Sequence, residues 1–221
     1  MTYSICASDG TRHGVAIATK APTVGSLAPF VSRNGALSTQ ASVSIPLGVR
    51  TKRLLDRGCG IEAAVSTLVA RDEGATERQV HGVDRWGGST IHSGTECVEW
   101  FGGRDGEGYT IAGNMLVGEG VVDAIAEGFE ASDGHLRERL LDALEAGEDA
   151  GGDKRAEYAQ SAALRVYDPE PTLADDLRTD DHADPVRELR RLHRVAMDQH
   201  AEWEEANPVM ELQRTPPLGW E

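Results

Sequence analysis

Thr2, directly behind the initiator Met1, is the residue of this sequence best suited to covalent chemistry. A small second residue favours removal of Met1, which leaves a hydroxyl and a free α-amine on one threonine. The amine can take the hydroxyl proton, which is how an N-terminal threonine becomes a nucleophile. Threonine here is also an ordinary way to begin a strand, and Thr2-Tyr3-Ser4-Ile5-Cys6-Ala7 reads as one. The chemistry therefore depends on which groups the rest of the chain brings to Thr2.

Lys20 is the first of these. It ends the apolar run Gly14-Val15-Ala16-Ile17-Ala18-Thr19, which is separated from the first run by an Asp9-Gly10 turn signal. An antiparallel hairpin returns the end of its second strand to the start of its first, so Lys20 is expected beside Thr2. A cation there would depress the pKa of the hydroxyl and steady developing negative charge. A lysine that merely snorkels at a strand end is the alternative. Asp153 and Ser161 come next, in Gly151-Gly152-Asp153-Lys154-Arg155 and Gln160-Ser161-Ala162-Ala163-Leu164. Either would orient the Thr2 amine, unless the stretch is only a helix C-cap and a solvated turn. Gln40, Ala41 and Asn114 offer side-chain amides and backbone N–H groups for an oxyanion or substrate, or else are satisfied core groups.

Other polar clusters are less apt. Asp180, Asp181, His182 and Asp184 carry metal-ligand chemistry, but adjacent side chains of an extended arm point to opposite faces, so no metal is expected. Asp184-Pro185 is a helix start. Cys6, Cys59 and Cys97 are odd in number and widely spaced, which fits neither a disulfide framework nor a C-x-x-C site. Cys6 reads as core. His13, His81 and His92 have no triad spacing that decides a role.

The elements that must position these residues alternate in groups. After the hairpin, a strand is expected at 35–40 and helices at 48–57 and 61–72, the second with Ile61, Ala64, Val65, Leu68 and Val69 on one stripe. Strands follow at 78–84, 88–92 and 109–113, then helices at 119–130 and 134–147 and a strand at 161–167. An extended arm over 168–184 leads to a helix over 184–205, and 206–221 reads as a loosely ordered tail. One domain is expected, with residues 1–167 as its core and 168–205 as its arm and last helix. Consecutive helix pairs and antiparallel strand groups disfavour βαβ alternation. They fit an α+β fold, a four-layer αββα sandwich of two stacked antiparallel sheets between helix layers, which is the N-terminal-nucleophile (Ntn) hydrolase arrangement.

Composition narrows the partners. A net charge of −15 over 221 residues argues against nucleic acid and against anionic membrane. The lysines are Lys20, Lys52 and Lys154, and an acidic, lysine-poor surface is typical of proteins from a high-salt cytoplasm. The fold should then weaken in dilute buffer, where the Debye length grows from ~3 Å at 1 M to ~30 Å at 0.01 M. A melting temperature indifferent to salt would reject this halophile reading. The first residues lack a signal-peptide pattern and no apolar run approaches the ~18–20 residues of a membrane span, so a cytoplasmic protein is expected. Val186, Leu189, Leu192 and Val195 share one face of the last helix, with Arg187, Arg190, Arg191 and Arg194 polar. A basic helix on an acidic protein suggests a homodimer.

Taken together these motifs resemble the domain of unknown function 1028 family, an Ntn-hydrolase-like group. The resemblance is carried by Thr2-Tyr3-Ser4-Ile5, Gly14 to Ala18 with Lys20, Thr39-Gln40-Ala41, Arg78-Gln79-Val80, and Gly94 with Cys97 and Trp100. It continues in Gly108-Tyr109 with Gly113-Asn114, Gly151 to Arg155, Gln160 to Leu164, Asp180-Asp181-His182 and Asp184-Pro185, up to about residue 195. The chain departs from the family pattern at Val43-Ser44-Ile45, where Thr-Asn-Pro is usual, and at Gly103, where a His is frequent. The expected function is hydrolysis of an amide bond in a small molecule or peptide, without cofactor. A non-catalytic binding or assembly protein on the same scaffold is the alternative.

Overall fold

The computed structural model describes residues 2–155 and 158–206. The chain opens with β1 (Thr2–Ser8), β2 (His13–Thr19), β3 (Pro29–Ser32) and β4 (Gly35–Ala41). Next come α1 (Ile45–Asp56), α2 (Ile61–Val69), β5 (Arg78–Asp84), β6 (Ser89–Ser93), β7 (Gly102–Gly106) and β8 (Tyr109–Asn114). The last elements are α3 (Gly120–Glu130), α4 (Leu136–Asp149), β9 (Ser161–Tyr167), β10 (Asp176–Thr179) and α5 (Pro185–Ala206).

The strands form two antiparallel sheets, one ordered β10-β9-β2-β1-β8-β7 and the other β3-β4-β5-β6. Helices α3, α4 and α5 pack on the outer face of the first sheet, and α1 and α2 on the outer face of the second. The inner faces of the sheets meet. Strand alternation decides what each face buries. On β1, Tyr3, Ile5 and Ala7 join Ile111, Leu140, Leu144 and Leu164 in the core under α3 and α4. Leu37, Val80, Leu55 and Ile61 fill the core under α1 and α2. Between the sheets, Cys6, Val15, Ile17, Ala36, Val83 and Ala163 form a smaller apolar cluster. Beside it the inner faces are polar, as described below.

Helix α1 begins three residues before the expected position 48. Ser44 caps it, its Oγ accepting from Leu47 N at 3.3 Å, with Pro46 in the first turn. Gly48 is a packing residue and not a break: a Cβ there would lie 2.1 Å from the Phe30 ring. Helix α2 ends at Val69 and not at 72.

Three strands escaped the sequence pattern. β3 has four residues and begins at Pro29, which a strand tolerates at its first position. β7 reads Gly-Gly-Arg-Asp-Gly, a composition poor in strand formers, and exists because β8 pairs with it at a sheet edge. β10 lies inside the arm expected to be merely extended and pairs with β9. Residues 207–221, most of the expected tail, lie outside the described residues.

The last helix also corrects an expectation. Val186, Leu189, His193 and His200 are its buried face, and Val195 is exposed. Arg190 pairs with Asp142 and, at 3.0 Å, with Glu145 of α4; Arg187 pairs with Asp149 and Asp184, and Arg191 with Glu188. Arg187, Arg190 and Arg191 thus pair with carboxylates of their own chain.

Candidate functional site at the common end of four strands

The pairing registers bring four strand ends together. Thr2 stands opposite Thr19 on β2 and opposite Asn114 on β8, and Thr19 stands opposite Ser161 on β9. Thr2 shares the parity of Ser4 and Cys6, so its side chain belongs to the inner face. It is only 7% exposed, and its Oγ1 lies 3.1 Å from Thr19 Oγ1. Either hydroxyl can be the donor.

The hairpin does return its second strand to Thr2, but one residue out from the expectation. Thr19, not Lys20, is the register partner of Thr2. Strand β2 ends at Thr19, and Lys20 is half-buried in the bend that follows. Its backbone oxygen accepts from Arg155 Nη2 at 3.3 Å.

A strap crosses this end of the sheet. Asp153 bridges to Leu116, Val117 N donates to Gly152 O at 3.2 Å, and Lys154 N donates to Met115 O at 3.3 Å. These contacts fix the strap to the residues after β8, while Arg155 reaches the end of β2 through Lys20 O. Strand β1 lies between β8 and β2, so the strap spans its start, where Thr2 is. The Asp153 carboxylate is buried and accepts from Arg155 N at 2.8 Å and from its guanidinium. Gly152, within the strap, has φ 37, a conformation that favours glycine, and a Cβ there would lie 2.9 Å from Glu148 Oε2. Glu148 accepts from the Tyr3 hydroxyl and, at 2.7 Å, from Ala159 N. Burial pushes its carboxyl above the usual range and pushes the Tyr3 phenol well up.

Ser161 is close in register but committed elsewhere. Its hydroxyl donates to Ala21 O at 2.6 Å and accepts from Val24 N at 3.1 Å, holding the turn after β2. These two bonds order that turn.

Behind Thr2 the two inner sheet faces share a buried polar network. Gln40 Oε1 accepts from Ser4 at 2.6 Å and from Ser38 at 3.3 Å; Gln40 Nε2 donates to Gln79 Oε1 at 2.8 Å and to Ala112 O at 3.1 Å. Both amide hydrogens of Gln40 are thus spent and the residue is fully buried, so it supports the site from behind and does not face a substrate. Asn114 donates through Nδ2 to Gln79 Oε1 at 3.1 Å, which leaves its second amide hydrogen uncommitted in that bond. Gln79 Nε2 lies 2.9 Å from Gly113 O and 3.1 Å from Gly102 O. His81 stands between Ser4 Oγ at 2.7 Å and Thr110 Oγ1 at 2.9 Å. Burial lowers its pKa to about 3, so the ring is neutral. Ala41 and Met115, directly after Gln40 and Asn114, have φ of 63 and 54. Such values are uncommon outside glycine and re-aim the backbone at both strand exits.

Gln79 ties four strands at this end. Gln79→Leu should leave Gln40, Asn114 and the two glycine carbonyls short of partners in the interior. The expected cost is about 2–4 kcal/mol of stability, from orphaned buried groups at ~1–3 kcal/mol each with partial relaxation. Urea unfolding of the variant measures it; a loss under ~0.5 kcal/mol would show that the network is replaceable.

Thr19, Gln79 and His81 were missed by sequence reasoning. A signal existed: Thr2/Ser4, Ser38/Gln40, Gln79/His81 and Thr110/Asn114 all show polar residues at strand period on one face. That pattern ordinarily means a solvent-facing side, whereas here the polar faces of two sheets meet each other.

The molecule is a mixed α+β protein of two facing antiparallel sheets and, among the described residues, five helices. It belongs to the family of unknown function DUF1028, whose model matches residues 2–189. It is similar to the crystal structure of protein SPO2555 from Silicibacter pomeroyi, of the same family. That chain is 30% identical, with a TM-score of 0.84 and 97% of each chain covered. No curated protein matches. Among the described residues no helix is long and apolar enough to cross a membrane.

Proposed function

We propose that the chain is an N-terminal-nucleophile hydrolase that cleaves an amide bond in a small molecule or peptide, built as an αββα sandwich. The observation that carries this reading is the placement of the Thr2 hydroxyl: inward-facing, beside a second hydroxyl, at the common end of four strands and under the Asp153 strap.

With Met1 removed, the Thr2 α-amine takes the proton of Oγ1 as Oγ1 attacks the substrate carbonyl carbon. The amine then gives that proton to the leaving nitrogen as the C–N bond breaks, which leaves an acyl ester on Thr2. Water, deprotonated by the same amine, cleaves the ester and restores the hydroxyl. Asp153 orients the ammonium form, and the free amide hydrogen of Asn114 with the Ala41 backbone N–H meets the oxyanion. Gln40 and Gln79 hold Asn114 in place from the interior.

Intact mass of the chain purified from its native host tests the premise. The expected mass lacks Met1. Retention of Met1 in most molecules would block the amine and remove the general base, and the binding-protein reading would then stand.

A further inference from the structure

We infer that Thr19 is a catalytic residue of the proposed reaction, its hydroxyl donating a hydrogen bond to Thr2 Oγ1 as negative charge develops there. The inference rests on the nucleophile reading above. Thr2 Oγ1 lies 3.1 Å from Thr19 Oγ1, within hydrogen-bond reach. The contact follows from register, since Thr2 and Thr19 are paired residues on the same face of adjacent strands. Thr19 is itself buried and, being β-branched, has few side-chain rotamers, so its hydroxyl is held where it is. Its neighbourhood is fixed from the far side too: Ser161 pairs with Thr19, and Gln160 N donates to Thr19 O at 2.7 Å.

The chemistry follows from which hydroxyl donates. If Thr2 donates to Thr19, its proton is turned toward Thr19 and away from the amine. With Thr19 as donor, the Thr2 O–H is free for the amine, and the oxygen that gains charge already has a hydrogen bond. The Thr19 proton is not transferred: Oγ1 of Thr2 forms the new bond to carbon, its own proton goes to the amine, and Thr19 keeps its O–H throughout. A neutral donor does this without placing a cation in the buried pair. A hydrogen bond to a charged group is stronger than one between neutral groups, so its loss weighs on the barrier more than on the ground state.

The test is labelling of Thr2 by a β-lactone, which opens as Oγ1 bonds to its carbonyl carbon and the ring C–O bond breaks. Adduct formation is followed by intact mass and located by peptide mapping. Thr19→Val keeps the shape and removes the hydroxyl; labelling should slow about ten- to hundredfold, the range expected for a charge-assisted hydrogen bond. Thr19→Ser restores the hydroxyl and should label within about threefold of wild type, which a purely packing role would not produce. Thr19→Ala serves if the valine variant does not fold, with the same expected loss. Equal labelling of wild type and Thr19→Val, or equal slowing in Thr19→Ser and Thr19→Val, overturns the assignment of Thr19 alone. Wild-type labelling that persists in Thr2→Ala, or no labelling of processed wild type, overturns the nucleophile reading and this inference with it.

Discussion

Thr2→Ala is expected to bring turnover of any true amide substrate to background while Lys20→Met leaves most of it. Removing a covalent nucleophile eliminates the acyl-ester route altogether, and losses on the order of 10⁶-fold accompany such deletions. Thr2→Ser keeps the hydroxyl and the amine and should retain measurable activity. Lys20 sits one residue beyond the Thr2–Thr19 pair in a half-exposed bend, where a single charge contributes at most about 1 kcal/mol. The expected change for Lys20→Met is therefore less than about tenfold. A screen of small amides with the three variants in parallel separates the possibilities. If Lys20→Met is as inactive as Thr2→Ala, the lysine swings to the hydroxyl in the reacting state, and the cation-assisted mechanism suggested by the sequence is restored. If Thr2→Ala is fully active, Thr2 is a strand residue and nothing more.

The contrast between Lys20 and Thr19 shows what the sequence could carry. The hairpin over Asp9-Gly10 was legible, as were β5, β9 and the paired helices, because each has a strong period or a clear turn. Which residue lands opposite Thr2 depends on register. The strands pair from Ser8–His13 back to Thr2–Thr19, and that count is set by the length of the turn. A difference of one residue in that count decides whether a hydroxyl or a cation stands opposite Thr2. The close approach at Gly152 was legible for a different reason: the Gly151-Gly152 pair marks a place where backbone must pass close to something, and the structure supplies Tyr3 and Glu148. The role of Ser161 was not legible, since its partners Ala21 O and Val24 N are backbone groups more than a hundred residues away. The buried polar network was hidden by its own pattern. Alternating polar residues cost least when they face water, and only the stacking of two such faces makes Gln40 and Gln79 interior.

That interior sets the acid limit of the protein. His81 and His13 are both fully buried, and burial holds their pKa values to about 3 and about 4. In the unfolded chain each titrates near 6.5. The unfolded state therefore binds more protons once the pH drops below about 6.5, and stability falls with pH. The loss is about 1.4 kcal/mol per pH unit from each ring until the folded histidine itself protonates. Burial lowers His135 and His193 as well, in the same direction. Below the histidine window, Asp9 and Asp72, held down by Arg12 and Arg78, lose their stabilising charge as they protonate. Glu148 acts with the opposite sign, because its raised folded pKa makes proton uptake easier in the native state. Two fully buried histidines outweigh it, so the unfolding free energy should drop by several kcal/mol between pH 6.5 and 4.5 at constant salt. Equilibrium urea curves across that interval read it directly. His81→Gln can still bond Ser4 and Thr110 but does not titrate, so it should roughly halve the slope contributed by this pair. A variant with the wild-type slope would mean that His81 reaches water before unfolding, and that the two sheets separate around Ser4 and Thr110 while the rest of the fold holds.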